Sequence, residues 1–326
     1  MIAALAIERW AMKDVFATSR DAIDEIAVIL VTLTDSAGRR GRAEAAGVDY
    51  DGETPASMAS QIESLAGRLH DRISRRELAG LLPAGGARNA LDCALWDLEA
   101  KRSGIPAWRA AGLEPLEPVT TCLTIGLGNE ADTRRKARAA GGYEVLKLKL
   151  DAERHLDVVR IVREEQPRAR LLVDANQAWS RSLLEELLPA LAALGVELIE
   201  QPVPREEDAT LDGLKSRLPL AADESCTDRS SLSRLAGRYQ YVNIKLDKCG
   251  GLTEALALVE DARRLRLGLM VGNMCGTSLA MAPAFLIAQS CRYIDLDGPL
   301  LQREDRAPAI LYRRGVMSAP DPALWG

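Results

Sequence analysis

Polar residues recur through the middle of this chain at near-constant intervals, each closing a short apolar run. Lys149 ends V145-LKLK, and Asp174, Glu200, Asp223 and Lys245 follow at separations of 25, 26, 23 and 22 residues. A strand, a helix and two connections occupy about this length, and parallel strands need a crossover of about a dozen residues or more. Eight such runs occur in series: V119-TTCLTIG, V145-LKLKL, R170-LLVDAN, V196-ELIEQP, L218-PLAADES, Y241-VNIKLD, L267-GLMVGN and R292-YIDLDG. Amphipathic stretches such as L183-LEELLPALAAL and T253-EALALVEDARRL separate them. The pattern predicts an α/β fold, a (β/α) barrel of the TIM type, with its active mouth at the C-terminal ends of the strands. Scattered polar residues at those ends then become one ring.

Residues 1–113 lack this rhythm. I26-AVILVTLTD and G38-RRGRAEA read as strand, turn, strand, and R88-NALDCALWDLEAKRSG reads as a helix ending at Gly104 with Pro106 beyond. We assign residues 1–113 to an N-terminal α+β capping domain and 114–298 to the catalytic barrel. The tail, 299–326, is expected to return to the cap.

Charge and cysteine usage remove several classes of function. Lys and Arg number 42 against 47 Asp and Glu, a formal charge of −5, so no basic surface favours nucleic acid or anionic lipid. Six cysteines without CxxC spacing suggest reduced thiols rather than a zinc site or disulfide framework. Charges at Glu8 and Arg9 interrupt any secretory signal. The uncharged stretch 267–291 is long enough to span a bilayer, yet Asn273, Thr277, Ser278 and Pro283 suit a buried strand and helix better. A cytoplasmic protein is expected, with no membrane or nucleic-acid partner; the sequence leaves homo-oligomer formation open.

The ring carries the chemistry. Asp174, Glu200 and Asp223 close three consecutive strands, and three ionised carboxylates brought together without a partner cost several kcal/mol each. Oxygen ligands of this kind suit Mg²⁺; separate ion pairs at a barrel rim are the alternative. Lys147 and Lys149 lie two apart on one strand and so face the same side. Lys149 on the second strand and Lys245 on the sixth would flank a substrate carboxylate held at the metal. One lysine would remove the α-proton, a metal there would supply stabilisation for the charge that develops, and the other lysine would return a proton to the opposite face. A lysine base needs a lowered pKa, which Lys147 is placed to impose on Lys149 while also binding the carboxylate. On the eighth run, Asp295 and Asp297 invite a cation such as a substrate ammonium; a rim ion pair with a loop arginine is the other reading. The two histidines, His70 and His155, are expected to be solvated.

With these residues in place the chain resembles the enolase superfamily, in its muconate-lactonising-like branch, and there the dipeptide epimerases of the L-Ala-D/L-Glu type. The resemblance runs the full length and is densest at L81-LPAGGARNALDCALWDLEAKRSG, L146-KLKLD, V173-DANQAW, E200-QPVP, A222-DESC, N243-IKLDKCGGLTEALAL and D295-LDGP. It implies an enolase-like modified barrel and Mg²⁺ on Asp174, Glu200 and Asp223. Lys149 and Lys245 would be the acid and base, Asp295 and Asp297 the ammonium grip, and Lys147 and Thr124 substrate contacts. A cap loop covers the site in such epimerases, and its arginine binds a distal carboxylate. Here that region reads F16-ATSRDAID, where Arg20 is the candidate, although Asp21 and Asp24 crowd it and an ordinary surface arginine fits as well. M274-CG-T277 supplies small residues to the pocket. The expected reaction is inversion of the C-terminal residue of a dipeptide, and recycling of cell-wall peptides follows if that residue is glutamate.

Rival readings use the same ring differently. An N-acylamino-acid racemase or a muconate or o-succinylbenzoate type cycloisomerase or lyase would keep the metal and lysines with little need for Asp295 and Asp297. A Schiff-base aldolase would need one lysine and no metal. A non-catalytic binding protein would not require two bases.

Overall fold

In a computed structural model, residues 1–18 and 22–326 are described. The chain opens with three antiparallel strands, Ile2–Ala17, Ala22–Thr34 and Arg40–Ala45, paired in sequence order. Ile2 stands opposite Thr34, and the register shifts between Ala11 and Phe16. Helix Gly86–Ser103 lies across this sheet with its apolar residues buried. The approach is close: a side-chain carbon on Gly41 would sit 2.2 Å from Ala94 O and 2.5 Å from Leu98 N. Gly104 ends the helix in the left-handed conformation, its N–H donating to Ala100 O.

Eight parallel strands follow: Leu123–Ile125, Val145–Lys149, Arg170–Asp174, Val196–Glu200, Leu220–Ala222, Tyr241–Ile244, Gly268–Val271 and Tyr293–Ile294. They are hydrogen-bonded in chain order, and Cys122 N donates to Ile294 O at 2.9 Å, joining the last strand to the first. Inside the ring Cys122, Val145, Leu172, Leu198, Ala221, Met270 and Tyr293 form a separate apolar cluster. This cluster is the floor of the site. Side chains two residues further along a strand point the same way, so Val145 leads to Lys147 and Lys149, Leu172 to Asp174, Leu198 to Glu200, and Ala221 to Asp223.

Every strand is shorter than the run that marks it in the sequence, and the first and eighth depart most. The first divides: Val119–Thr120 pairs with Val316–Met317 of the tail, and only Leu123–Ile125 joins the barrel. The eighth strand stops at Ile294, so Asp295 and Asp297 stand beyond it, with Asp295 N still donating to Val271 O. The uncharged stretch 267–291 folds as strand Gly268–Val271 and buried helix Ser278–Ala288. Among the described residues no helix is long and apolar enough to cross a membrane.

Polar contacts fasten the N-terminal segment to the barrel. Asp92 accepts from Thr253 N and Oγ1, Asp247 accepts from Gly47 N, and buried Glu44 accepts from Thr277 N and Oγ1. The tail joins the same seam: Arg306 donates to Glu44, and Trp325 Nε1 donates to Cys93 O at 3.0 Å.

Candidate active site

Strand register brings the ring together. Lys149 stands opposite Asp174 and Asp174 opposite Glu200. Glu200 stands opposite Ala221, two residues before Asp223. Ligand oxygens of Asp174, Glu200 and Asp223 all fall within 4.8 Å of one another, and all three residues are buried. Each lysine then finds a carboxylate. Lys149 Nζ donates to Asp174 Oδ2 at 2.7 Å, and Lys245 Nζ donates to Asp223 Oδ2 at 2.8 Å. The two amines therefore engage different flanks of the acidic triplet, one from the second strand and one from the end of the sixth.

Lys147 is buried between the triplet and the eighth strand. Its Nζ lies 3.1 Å from Asp174 Oδ2, 2.7 Å from Glu200 Oε2 and 2.7 Å from Asp295 Oδ2. Asp295 is thus engaged by a lysine rather than by a loop arginine. It also accepts from Cys122 Sγ, while Asp297 accepts from Thr124 N. Thr124 is buried beside them. Arg20 lies outside the described residues.

Electrostatics differ from the simplest expectation for a lysine base. Burial pushes Lys245 down, but the Asp223 carboxylate together with Glu200 and Glu224 outweighs it and holds the ammonium above its ordinary range. Lys147 is likewise pushed down by burial and held well up by Asp295, Glu200 and Asp174. Burial, reinforced by Asp174, pushes Glu200 up to about 8. Burial and then Asp295 push Asp297 up to about 7. Too many carboxylates share too little positive charge.

That shortage is the test for a divalent cation. Glu200 Oε1 accepts from Asn243 Nδ2 at 2.8 Å, whereas buried Oε2 is near Lys147 without hydrogen-bond geometry. Three convergent carboxylates, one with an oxygen lacking a hydrogen bond, fit a hard cation with oxygen ligands.

Several supporting residues were not singled out from the sequence. Lys248 is buried, and its Nζ donates to Asp223 Oδ1 at 2.6 Å, to Asn243 O at 3.1 Å and to Asp223 O. Gln201 Oε1 accepts from Asp223 N and Ser225 N, tying the fourth strand end to the fifth. Asp174 Oδ1 accepts from Asn176 N. Asn176, Gln177, Gln201 and Cys275 all hold positive φ, between 33° and 69°, just beyond strand ends of the ring. Such strain gathers where backbone must present functional groups. Thr277, expected to shape the pocket, is turned to Glu44.

Comparison with known proteins adds to this geometry. The Enolase C-terminal domain-like family matches residues 130–323, and the Mandelate racemase / muconate lactonizing enzyme N-terminal domain matches residues 1–112. An L-Ala-D/L-Glu epimerase of Escherichia coli is 40% identical, covering 95% of this chain and 97% of that one. An N-acetyl-D-glutamate racemase of a Pseudoalteromonas species is 45% identical, covering 85% and 88%. A solved enolase family member from Agrobacterium tumefaciens, with homology to dipeptide epimerases and bound sodium and L-Ala-L-Glu, superposes with a TM-score of 0.96 at 39% identity, covering 99% of both chains. A dipeptide epimerase from Methylococcus capsulatus, complexed with Mg and L-Arg-D-Lys, superposes with a TM-score of 0.89 at 30% identity, covering 99% and 98%. The chain belongs to the mandelate racemase and muconate lactonizing enzyme family, within the enolase superfamily.

Proposed function

We propose that this chain is a Mg²⁺-dependent epimerase that inverts the α-carbon of an N-acylated amino acid, with a dipeptide ending in glutamate as the favoured substrate. One observation carries the reading: Lys149 and Lys245 engage opposite flanks of a single three-carboxylate cluster. An isomerase that inverts a carbon acid needs a proton acceptor on one face and a donor on the other. A ligand-binding protein needs neither.

Asp174, Glu200 and Asp223 would hold the cation. When bound, it neutralises the field that keeps Lys245 charged and stabilises the negative charge that develops as the α-proton leaves. Lys149 and Lys245 exchange roles with the direction of reaction: the neutral amine takes the α-proton, and the ammonium opposite delivers one. Lys147, buried and held charged, binds the substrate carboxylate and fixes its plane. Lys248 and Gln201 hold Asp223 in place, so the triplet keeps its spacing.

Asp295 and Asp297 decide the N-terminal side of the substrate. L-Ala-Glu is itself an N-acylated glutamate, and it differs from N-acetylglutamate chiefly in the ammonium carried by the acyl group. With Asp295 already engaged by Lys147, Asp297 is the carboxylate left to meet that ammonium. The 45% identical N-acetyl-D-glutamate racemase favours the second reading, in which Asp297 meets an acyl group without charge.

Exchange of the α-proton in D₂O with Mg²⁺, followed by mass spectrometry, tests both. L-Ala-L-Glu is expected to gain one deuterium faster than N-acetyl-L-glutamate, and Asp297→Asn to narrow the difference by removing the dipeptide's advantage. Faster labelling of the acetylated compound would establish the racemase reading. Labelling of neither compound nor of other L-Ala-L-Xaa dipeptides would overturn the proposal.

A further inference from the structure

At the opposite end of the barrel, where the strands begin, a shallow cavity of about 960 Å³ lies open to solvent. Arg170, Arg217, Arg266 and Arg292 line it, and Tyr241 and Tyr293 contribute the rings. Only Arg170 has its charge answered, by Glu197 at 2.9 Å and Glu144 at 3.5 Å. Among the described residues no carboxylate lies within ion-pair distance of Arg217, Arg266 or Arg292, all three exposed. A protein with net charge −5 has thus gathered an excess of guanidinium at one mouth.

The aromatic part is shaped as well as charged. Tyr241 and Tyr293 meet edge to face, with centroids 5.0 Å apart, and the Arg292 guanidinium stands 5.6 Å above the Tyr293 ring. A side-chain carbon on Gly268 would lie 2.3 Å from Tyr241 Cε1, so glycine there is what lets the tyrosine ring lie across the strand start. Tyr241 stays half-buried with part of its surface in the cavity. The apolar cluster inside the ring separates this mouth from the lysines.

We propose that this mouth binds a nucleoside polyphosphate. Planar guanidinium groups recognise phosphate through paired N–H donors and are less strongly hydrated than ammonium. A ring beside them gives a base a surface to pack against. The site is distinct from the carboxylate ring, so it does not depend on the epimerase reading.

Isothermal titration of the Mg²⁺-loaded protein with ATP, and separately with inorganic tripolyphosphate, tests the proposal at about 0.15 M ionic strength, where weak surface attraction is screened. ATP is expected to bind saturably at one site and more tightly than tripolyphosphate. The triple variant Arg217→Ala/Arg266→Ala/Arg292→Ala should lose at least about tenfold in ATP affinity, a tenfold loss being 1.4 kcal/mol, with its melting temperature unchanged. Tyr241→Ala should remove the advantage of ATP over tripolyphosphate. Absence of saturable binding to the wild type overturns the site. Undiminished binding to the triple variant moves the anion elsewhere and overturns it too. Equal wild-type affinity for the two probes overturns the nucleoside part.

Discussion

Lys147 Nζ lies 2.7 Å from both Asp295 Oδ2 and Glu200 Oε2, so a single ammonium joins the acidic triplet to the segment that follows the eighth strand. All three groups are buried, and removing the cation alone leaves uncompensated negative charge. Lys147→Met should therefore lower stability by about 3–5 kcal/mol when measured by denaturant unfolding in EDTA. Added Mg²⁺ should recover part of the loss, because it supplies positive charge to the same carboxylates. An unfolding midpoint equal to wild type in EDTA would mean that Lys147 is not electrostatically coupled to the ring.

The metal reading makes a separate prediction on binding. Asp223→Asn removes one anionic ligand and leaves Lys245 and Lys248 facing an amide. Mg²⁺ affinity, read by titration calorimetry, should fall at least about tenfold, comparable with the loss on disturbing a metal's supporting contacts. EDTA should abolish turnover by the wild type, with recovery on Mg²⁺ addition. Full activity in EDTA would favour metal-free lysine chemistry, and borohydride trapping with substrate would then identify it.

Lys149→Ala and Lys245→Ala should each abolish epimerisation, yet fail differently. In the proposed reaction each amine serves one side of the α-carbon, so each variant should still exchange the α-proton of only one epimer. Deuterium incorporation from D₂O into the L,L and L,D dipeptides, measured separately, checks this. If either variant interconverts the epimers at the wild-type rate, that lysine is not a catalytic base or acid.

Much of this was legible in the sequence because two periods coincide. The interval between strand ends located the barrel, and the two-residue alternation within V145-LKLK pointed Lys147 and Lys149 inward. The alternation carries further than the carboxylates: it links each ring residue to the apolar floor, as Leu172 to Asp174 and Leu198 to Glu200. Contacts made by residues outside strands were not legible. Lys248 lies on the short helix Leu246–Cys249, three residues after Lys245, and only the turn of that helix brings it back onto Asp223. Gln201 reaches Asp223 through a left-handed backbone that no propensity favours for glutamine. Asp295 and Asp297 follow the strand rather than belong to it, which is why their partners, Lys147 and the Thr124 amide, could not be read from spacing. The edge strand Ile2–Ala17 was also hidden, since its short alanines and scattered charges give alternation little contrast.

Burial raises three carboxylates in the seam between the N-terminal segment and the barrel, Glu44, Asp92 and Asp247, and so makes stability depend on pH. Asp92 and Asp247 are each raised by burial from 3.8 to about 6, against opposing hydrogen bonds from Thr253 to Asp92 and from Gly47 to Asp247. In the unfolded chain both ionise near pH 4. Below that pH folded and unfolded states are equally protonated at these sites, and their contribution to stability is fully present. Between about pH 4 and 6 the unfolded state releases its protons first, so that contribution is lost as pH rises, on the order of 3 kcal/mol per group. Above about pH 6 both states are ionised and the loss is complete. An asparagine at either position does not titrate; at Asp247 it keeps an acceptor oxygen for Gly47 N, and at Asp92 it keeps one for either of the two Thr253 donors. The melting temperature of Asp92→Asn, taken relative to wild type, should therefore be higher at pH 7.5 than at pH 4.5, and Asp247→Asn should behave alike. A difference independent of pH would show that these carboxylates ionise at their ordinary pH and that the seam is more solvated than its packing indicates.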